Sequence, residues 1–296
     1  MIRTIAAALM AATALTGAGL AQDAGAEPER SILNVAGDVY RFQNNAHFGV
    51  FMVTDEGIAV VDPINTGASE WLKAELEERF DVPVKFVAYS HHHWDHASGG
   101  AVFEDTAAFV GHEAMSRSLV PLQDPNSDGD AYSEQYDEVR TPTVTYTDSG
   151  AIELGGKTME LIHAGGAHAP DMTFAYFPEE QVLFAVDVIS TKRLPFRNMP
   201  GFDLADTEAI IDAALVTDFE TIVPGHGDIG GRADVEEYRQ YHHDLLEGVQ
   251  AGIDAGQSLE DIQENLMLEE YAEWGAYEDW RTLNIEGAYT YLTATE

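Results

Sequence analysis

An apolar run, KFVAYS at residues 85–90, passes without a spacer into HHHWDHASGG at residues 91–100, and this junction constrains the chain more than any other stretch of it. KFVAYS reads as a buried strand, so the histidines and the aspartate behind it are delivered together to one strand end. Alternate residues of an extended segment point the same way, which lets His91 and His93 present imidazoles to one ion and turns His92 away. Asp95 and His96, beyond the bend, reach a second ion nearby. The sequence holds no cysteine, which excludes disulfides, thiolate ligands and a cysteine nucleophile. Any metal must be held by His and carboxylate, the ligand types expected for zinc in that case.

Around this junction, strand and helix patterns alternate. From Val39 to Asp62, short β-rich stretches broken by NN and DEG turns read as two or three strands of a meander. SEWLKAELEERF sets Leu72, Leu76 and Phe80 four residues apart among charges, which reads as an amphipathic helix lying on a sheet. Residues 120–142 are rich in turn formers and read as a long loop, expected with Trp94 to border a substrate pocket. Strand patterns resume in TVTYTD, GKTMELIH, MTFAYFP and VLFAVD; residues 205–216 read as helix and ETIVPGHGD as a strand and turn. Residues 232–256 read as a long helix whose Val235, Tyr238, Tyr241, Leu245 and Val249 share one face, and Ser258 with Asp261 has capping-box spacing.

At 296 residues the chain is long enough for one large domain, expected over residues 37–296 with helices at its C-terminal end. Residues 1–21 carry Arg3, an apolar run from Ile5 to Leu15, and the small residues Gly19 and Ala21 before Gln22, the pattern of a cleaved signal peptide. Residues 22–36 read as a leader, and the mature protein is expected in the periplasm or outside the cell. No other segment approaches the roughly 18 apolar residues of a membrane span. Lys and Arg number 15 against 52 Asp and Glu, a formal charge of −37 that repels phosphate backbones and anionic lipid, so nucleic-acid partners are not expected and a small molecule is. Oligomeric state is not encoded in any feature of the sequence.

The run H-x-H-x-D-H after a strand resembles the signature of the metallo-β-lactamase superfamily, and later motifs follow in that family's order. LIHAGGAHAPDMTFAYF supplies His168, VLFAVD supplies Asp187, TIVPGHGD supplies His226, and AVVDP supplies an early Asp62 closing a strand, so the resemblance covers roughly residues 37–230. It implies a four-layer αβ/βα sandwich of mixed α and β structure. It also implies two zinc ions per chain: His91, His93 and His168 on the first, Asp95, His96 and His226 on the second, Asp187 bridging, and Asp62 orienting ligands. GAHAP stands where the family often has Gly-His-Thr, and His163 competes with His168, which is favoured by the glycine pair before it and the strand after it. His112 reads as a helix-start residue, His47 as a loop residue, and His242 and His243 as surface or packing residues.

The same resemblance implies hydrolysis of a cyclic amide or ester, β-lactam or lactone-like, by metal-bound hydroxide, with Asp95 placed to accept a proton. Lys192, Arg193 and Arg197, just beyond Asp187, are candidates to anchor a substrate carboxylate. The β-lactamases with a cysteine ligand are excluded by composition. An Asp at 187 resembles the lactonase, glyoxalase II and general hydrolase branches, although Ser190 stands where familiar lactonases have Tyr. Glyoxalase II and tRNA-processing ribonucleases fit poorly with export and acidity. The alternatives are a mononuclear iron sulfur dioxygenase of the same superfamily, a general esterase or thioesterase, and a non-catalytic metal-binding module.

Overall fold

A computed structural model describes residues 27–123 and 133–294; the expected signal segment 1–21 lies outside them. The N-terminal half forms strands β1 (Arg30–Ala36), β2 (Val39–Asn44), β3 (His47–Thr54) and β4 (Gly57–Val61), helix α1 (Thr66–Arg79), strand β5 (Val84–Ala88), the short helix α2 (Trp94–Ala97), strand β6 (Ala108–His112), helices α3 (Glu113–Leu122) and α4 (Ser133–Tyr136), and strand β7 (Val144–Tyr146). These strands make one seven-stranded sheet in sequence order. The C-terminal half adds β8 (Ser149–Leu154), β9 (Lys157–Gly165), β10 (Met172–Phe177), β11 (Val182–Ala185), α5 (Leu204–Val216), β12 (Thr221–Pro224), β13 (Gly230–Gly231), α6 (Arg232–Asp254), α7 (Leu259–Asn265) and α8 (Tyr277–Ala294). Its strands form a six-stranded sheet, β13-β12-β11-β10-β9-β8.

Strand periodicity assigns the layers. Val50, Met52, Ala59 and Val61 of the first sheet meet Ala175, Phe177, Val182 and Phe184 of the second in one core between the sheets. The alternate residues Phe51, Ile58 and Val60 pack outward against Leu72 and Leu76 of α1, while Phe174, Tyr176 and Leu183 pack outward with Ile210 and Ile211 of α5 and Tyr238, Tyr241 and Leu245 of α6. Helix, sheet, sheet, helix is the expected four-layer sandwich, and because the central strands bury both faces they read as continuous apolar runs. All five residues expected on the buried face of α6 are buried there, and the capping box of Ser258 and Asp261 opens α7.

Three expectations need correction. The leader does not reach residue 36: Arg30–Ala36 is strand β1, paired antiparallel with β2 from Arg30↔Asn44 to Ala36↔Val39. No residue of this edge strand is fully buried and Leu33 is 48% accessible, so the strand has no buried face to give a clear apolar alternation. The segment 120–142 is not one long loop, since α3 runs to Leu122 and α4 occupies Ser133–Tyr136. Strand β8 was not expected; it pairs with β9 through the glycines Gly155 and Gly156, whose φ angles of +54° and +80° close a two-residue hairpin.

Candidate metal centre

Strands β4, β5 and β6 run parallel, as do β11 and β12. The chain therefore leaves several strands at the same edge of the sandwich: Asp62 follows β4, Ser90 to His93 follow β5, Asp187 follows β11 and His226 follows β12. Asp62 and Asp187 both take left-handed backbone conformations, φ +55° and +59°, which turn the chain sharply off the strand and aim each carboxylate across the edge. Aspartate tolerates this region better than most residues, but the strain is of the order of 1–3 kcal/mol and must be held by surrounding contacts. Gly225 lets the β12 turn close on the same place: a Cβ there would lie 2.6 Å from Val186 Cγ1 and 3.2 Å from His96 Cε1.

The two carboxylate oxygens of Asp187 face different partners. Oδ2 lies 3.3 Å from His91 Nε2 and 3.3 Å from His168 Nε2, whereas Oδ1 lies 3.3 Å from His96 Nε2 and 3.2 Å from His226 Nε2. His93 Nδ1 is 3.1 Å from His168 Nε2, and Asp95 Oδ2 is 3.9 Å from His96 Nε2. The fold thus brings together all seven residues expected as ligands, with His168 rather than His163 among them. His163 instead stacks on His112, ring centroids 3.9 Å apart, with Nε2 donating to the Pro170 carbonyl.

Around this cluster, hydrogen bonds fix which nitrogen of each ring faces inward. The Ser90 N–H and hydroxyl both donate to Asp62, at 2.8 and 2.6 Å. The Ser90 oxygen then accepts from His91 Nδ1 at 2.9 Å, leaving His91 Nε2 with its lone pair toward Asp187. His226 Nδ1 donates to the Ala46 carbonyl at 2.8 Å, leaving its Nε2 inward in the same way. Asp62 is fully buried, 3.6 Å from His96 Nδ1 and linked to His91 through the Ser90 hydroxyl. Ser90 carried no motif signal and was not anticipated.

Buried carboxylates among imidazoles perturb one another strongly. Burial opposes the charge on His96, but Asp187, Asp95 and Asp62 outweigh it and hold its pKa up at about 10. Burial, and then the neighbouring His93, push His91 down to about 3; burial, then His168, push His93 down to about 3. Burial lifts the Asp62 carboxyl to about 6 against the pull of His96 and Ser90. Burial works against ionisation of Asp187, yet the neighbouring His96 outweighs it and holds the carboxyl well below the usual carboxylate range.

This donor set fits cations. His91 Nε2, His96 Nε2, His96 Nδ1 and Asp187 Oδ1 are buried without a hydrogen-bond partner, a costly arrangement unless another group satisfies them. Ligand atoms of His91, His93, His168 and Asp187 lie within 4.8 Å of one another, as do those of His96, Asp187 and His226, and those of His47, Asp95 and His226. His47 corrects the expectation of a loop residue: it opens β3, and its Nε2 lies 3.3 Å from Asp95 Oδ2.

The other singled-out residues lie outside the cluster. His92 turns away, as expected, and bonds the buried Asp171 at 2.7 Å. His112 caps α3, its side chain accepting from the Ala114 N–H. His242 is buried on α6 with neither ring nitrogen bonded, and His243 is at the surface beside Glu247. Lys192 is held by Glu237 and by Asp234, the latter at 3.6 Å. The Arg193 guanidinium lies 4.8 Å over Trp280, and that of Arg197 lies 5.1 Å over Phe196. Tyr136 of α4 packs against the ring of His92, centroids 6.4 Å apart.

A family model described as the metallo-beta-lactamase superfamily matches residues 45–226. Among curated proteins, the alpha subunit of a 2,4-dinitroanisole O-demethylase from Nocardioides sp. is 26% identical over 206 residues, covering 68% of this chain and 58% of that one. A type 2 metallo-beta-lactamase of Bacteroides fragilis is 24% identical over 203 residues, covering 67% and 76%. A linear primary-alkylsulfatase of Pseudomonas sp. is 24% identical over 230 residues, covering 64% and 43%. The chain therefore spans less than two thirds of the first and third of these relatives. Solved structures share the fold: a metallo-beta-lactamase from Pontibacter korlensis, with a TM-score of 0.60, 20% identity and coverage of 73% of this chain and 99% of that one, and a sec-alkyl sulfatase double mutant, with a TM-score of 0.66, 17% identity and coverage of 88% and 50%.

Proposed function

The chain belongs to the metallo-β-lactamase superfamily, and from that membership we propose that it is an exported two-zinc hydrolase that opens a cyclic amide or ester of a small molecule. The observation that carries this reading is the split at Asp187, one oxygen toward His91 and His168 and the other toward His96 and His226. A carboxylate shared in this way suits two adjacent cation positions, and imidazole with carboxylate suits zinc. When bound, a pair of such ions supplies Lewis-acid polarisation of a carbonyl and a water acidified to near-neutral pKa.

The chain's own residues do the rest. Asp187 spaces the two positions, Asp62 and Ser90 hold His91 and His96 in register, and the Ala46 carbonyl holds His226. Asp95, with its side chain 29% accessible, sits at the open side, where Oδ2 accepts the proton of the attacking water and passes it to the leaving nitrogen or oxygen. Lys192 is engaged by acids, so Arg193 and Arg197 are the anchors we assign to a substrate carboxylate. The printed names of the relatives, a β-lactamase, an alkylsulfatase and an O-demethylase subunit, describe cleavage at different bonds, and the cyclic substrate is our reading for this chain. Export is supported by the pattern of residues 1–21.

A single-iron dioxygenase is the competing reading. It leaves the donors gathered around Asp95 and His226 without a role, which is why the two-ion reading is preferred. The test is hydrolysis of a chromogenic β-lactam, an aryl ester and a lactone by the full chain and by His93→Ala and Asp95→Ala. Turnover of the ring-containing substrates that both substitutions abolish, with far-ultraviolet circular dichroism unchanged, is the expected result. Either variant turning over normally would overturn the assignment.

A further inference from the structure

We propose that His47 is itself a metal donor, completing with Asp95 and His226 the outer of the two cation positions. This deepens the two-ion reading and rests on it. The resemblance groups Asp95 with His96 and His226, and the geometry adds a donor to them: Asp95 Oδ2 is 3.9 Å from His96 Nε2 but 3.3 Å from His47 Nε2, and His47, Asp95 and His226 gather their ligand atoms within 4.8 Å of one another, as do His96, Asp187 and His226. His226 is common to both groups. His47 Nε2 lies 3.3 Å from Asp95 Oδ2, and its ring stands edge-on to that of His226 at 4.7 Å and tilted to that of His96 at 5.8 Å.

The backbone places this imidazole firmly. The tip of the β2–β3 hairpin is tied to the glycine turn after β12: Phe48 N–H donates to the Gly225 carbonyl at 3.0 Å, Arg41 Nη1 donates to the Gly227 carbonyl at 3.4 Å, and the Ala46 carbonyl accepts from His226 Nδ1. The residue between Ala46 and Phe48 therefore has its backbone pinned on both sides against the turn that carries His226. The His47 side chain is 28% accessible, comparable with Asp95 at 29%, so the pair faces the open side of the cluster, where an incoming ion or substrate arrives. A neutral imidazole here serves either as a donor to the ion or as a hydrogen-bond donor that merely steadies Asp95, and two substitutions separate these roles.

The experiment is a zinc titration of the chelator-stripped full chain against a chromophoric competitor, repeated with cobalt(II) followed by its visible absorption, for the wild type, His47→Ala and His47→Gln. Glutamine keeps a hydrogen-bond donor for Asp95 but is a poor metal ligand. The expected result is that both variants retain the first equivalent and bind the second about a hundredfold more weakly, with an altered cobalt spectrum for that equivalent alone. Wild-type affinity for both equivalents in His47→Gln would overturn the proposal in favour of a positioning role and leave the two-ion reading intact. Fewer than two equivalents in the wild type would overturn both.

Discussion

At Asp187, the two carboxylate oxygens face separate imidazole pairs, and the two-ion proposal turns on that split. Ser90 is its counterpart in the supporting layer: one hydroxyl joins Asp62 to His91. Ser90→Ala is expected to lower metal affinity by about 10–100-fold while leaving the ligand set intact, measured by competition titration. His242 provides a test of burial alone. Its ring packs against Tyr238 and Tyr241 with both nitrogens unpaired, and burial lowers its pKa from 6.5 to about 4. A folded value below the unfolded one means that the unfolded chain binds the proton first, so stability present above about pH 6.5 is lost as the pH falls toward 4, by about 3 kcal/mol in all. Urea unfolding at pH 7 and pH 5 is expected to show a smaller loss for His242→Phe than for the wild type; equal losses would contradict it. Motif order picked out Asp62, Asp187, His168 and His226 at this scale, whereas the contacts of Ser90 with Asp62 and of His47 with Asp95 join residues 28 and 48 positions apart and left no local signal.

Elements deliver these residues through strand ends and glycine turns. The β12 turn approaches His96 and Val186 so closely that only a hydrogen side chain fits at Gly225. Gly225→Ala is expected to cost about 1–3 kcal/mol in urea unfolding and to weaken metal binding, since both neighbours must shift. Wild-type stability would contradict the packing argument. Apolar periodicity made α1, α5 and α6 legible, because their buried faces repeat at helix spacing, and short apolar runs made β4, β5 and β11 legible, because central strands bury both faces. The edge strand β1 and the hairpin strand β8 were not, since backbone pairing defines them: β1 fully buries none of its residues and β8 only Ile152 and Leu154. The break of segment 120–142 into helices α3 and α4 was hidden by Pro121 and by the turn formers behind it.

Across the molecule, two sheets share one apolar core between outer helical layers, and acidic residues spread through the chain give it a formal charge of −37. Like charges at this density oppose the compact state, and salt screens them. Raising sodium chloride from about 0.01 M to about 1 M is expected to stabilise the metal-free chain by roughly 1 kcal/mol or more, a rise of about 2–4 °C or more in thermal midpoint. A midpoint that does not rise would contradict the repulsion argument. The four-layer order was legible only through the resemblance, since strand and helix alternation alone defines no more than a mixed α and β domain. The proposed function rests on the edge where the two sheets bring their carboxylates and imidazoles together. The most direct test of that account is metal content by mass spectrometry on the full chain after zinc loading and exhaustive dialysis. About two zinc ions per chain, both lost in Asp187→Ala, is the outcome the split carboxylate predicts. A single ion per chain, or two that survive Asp187→Ala, would contradict it.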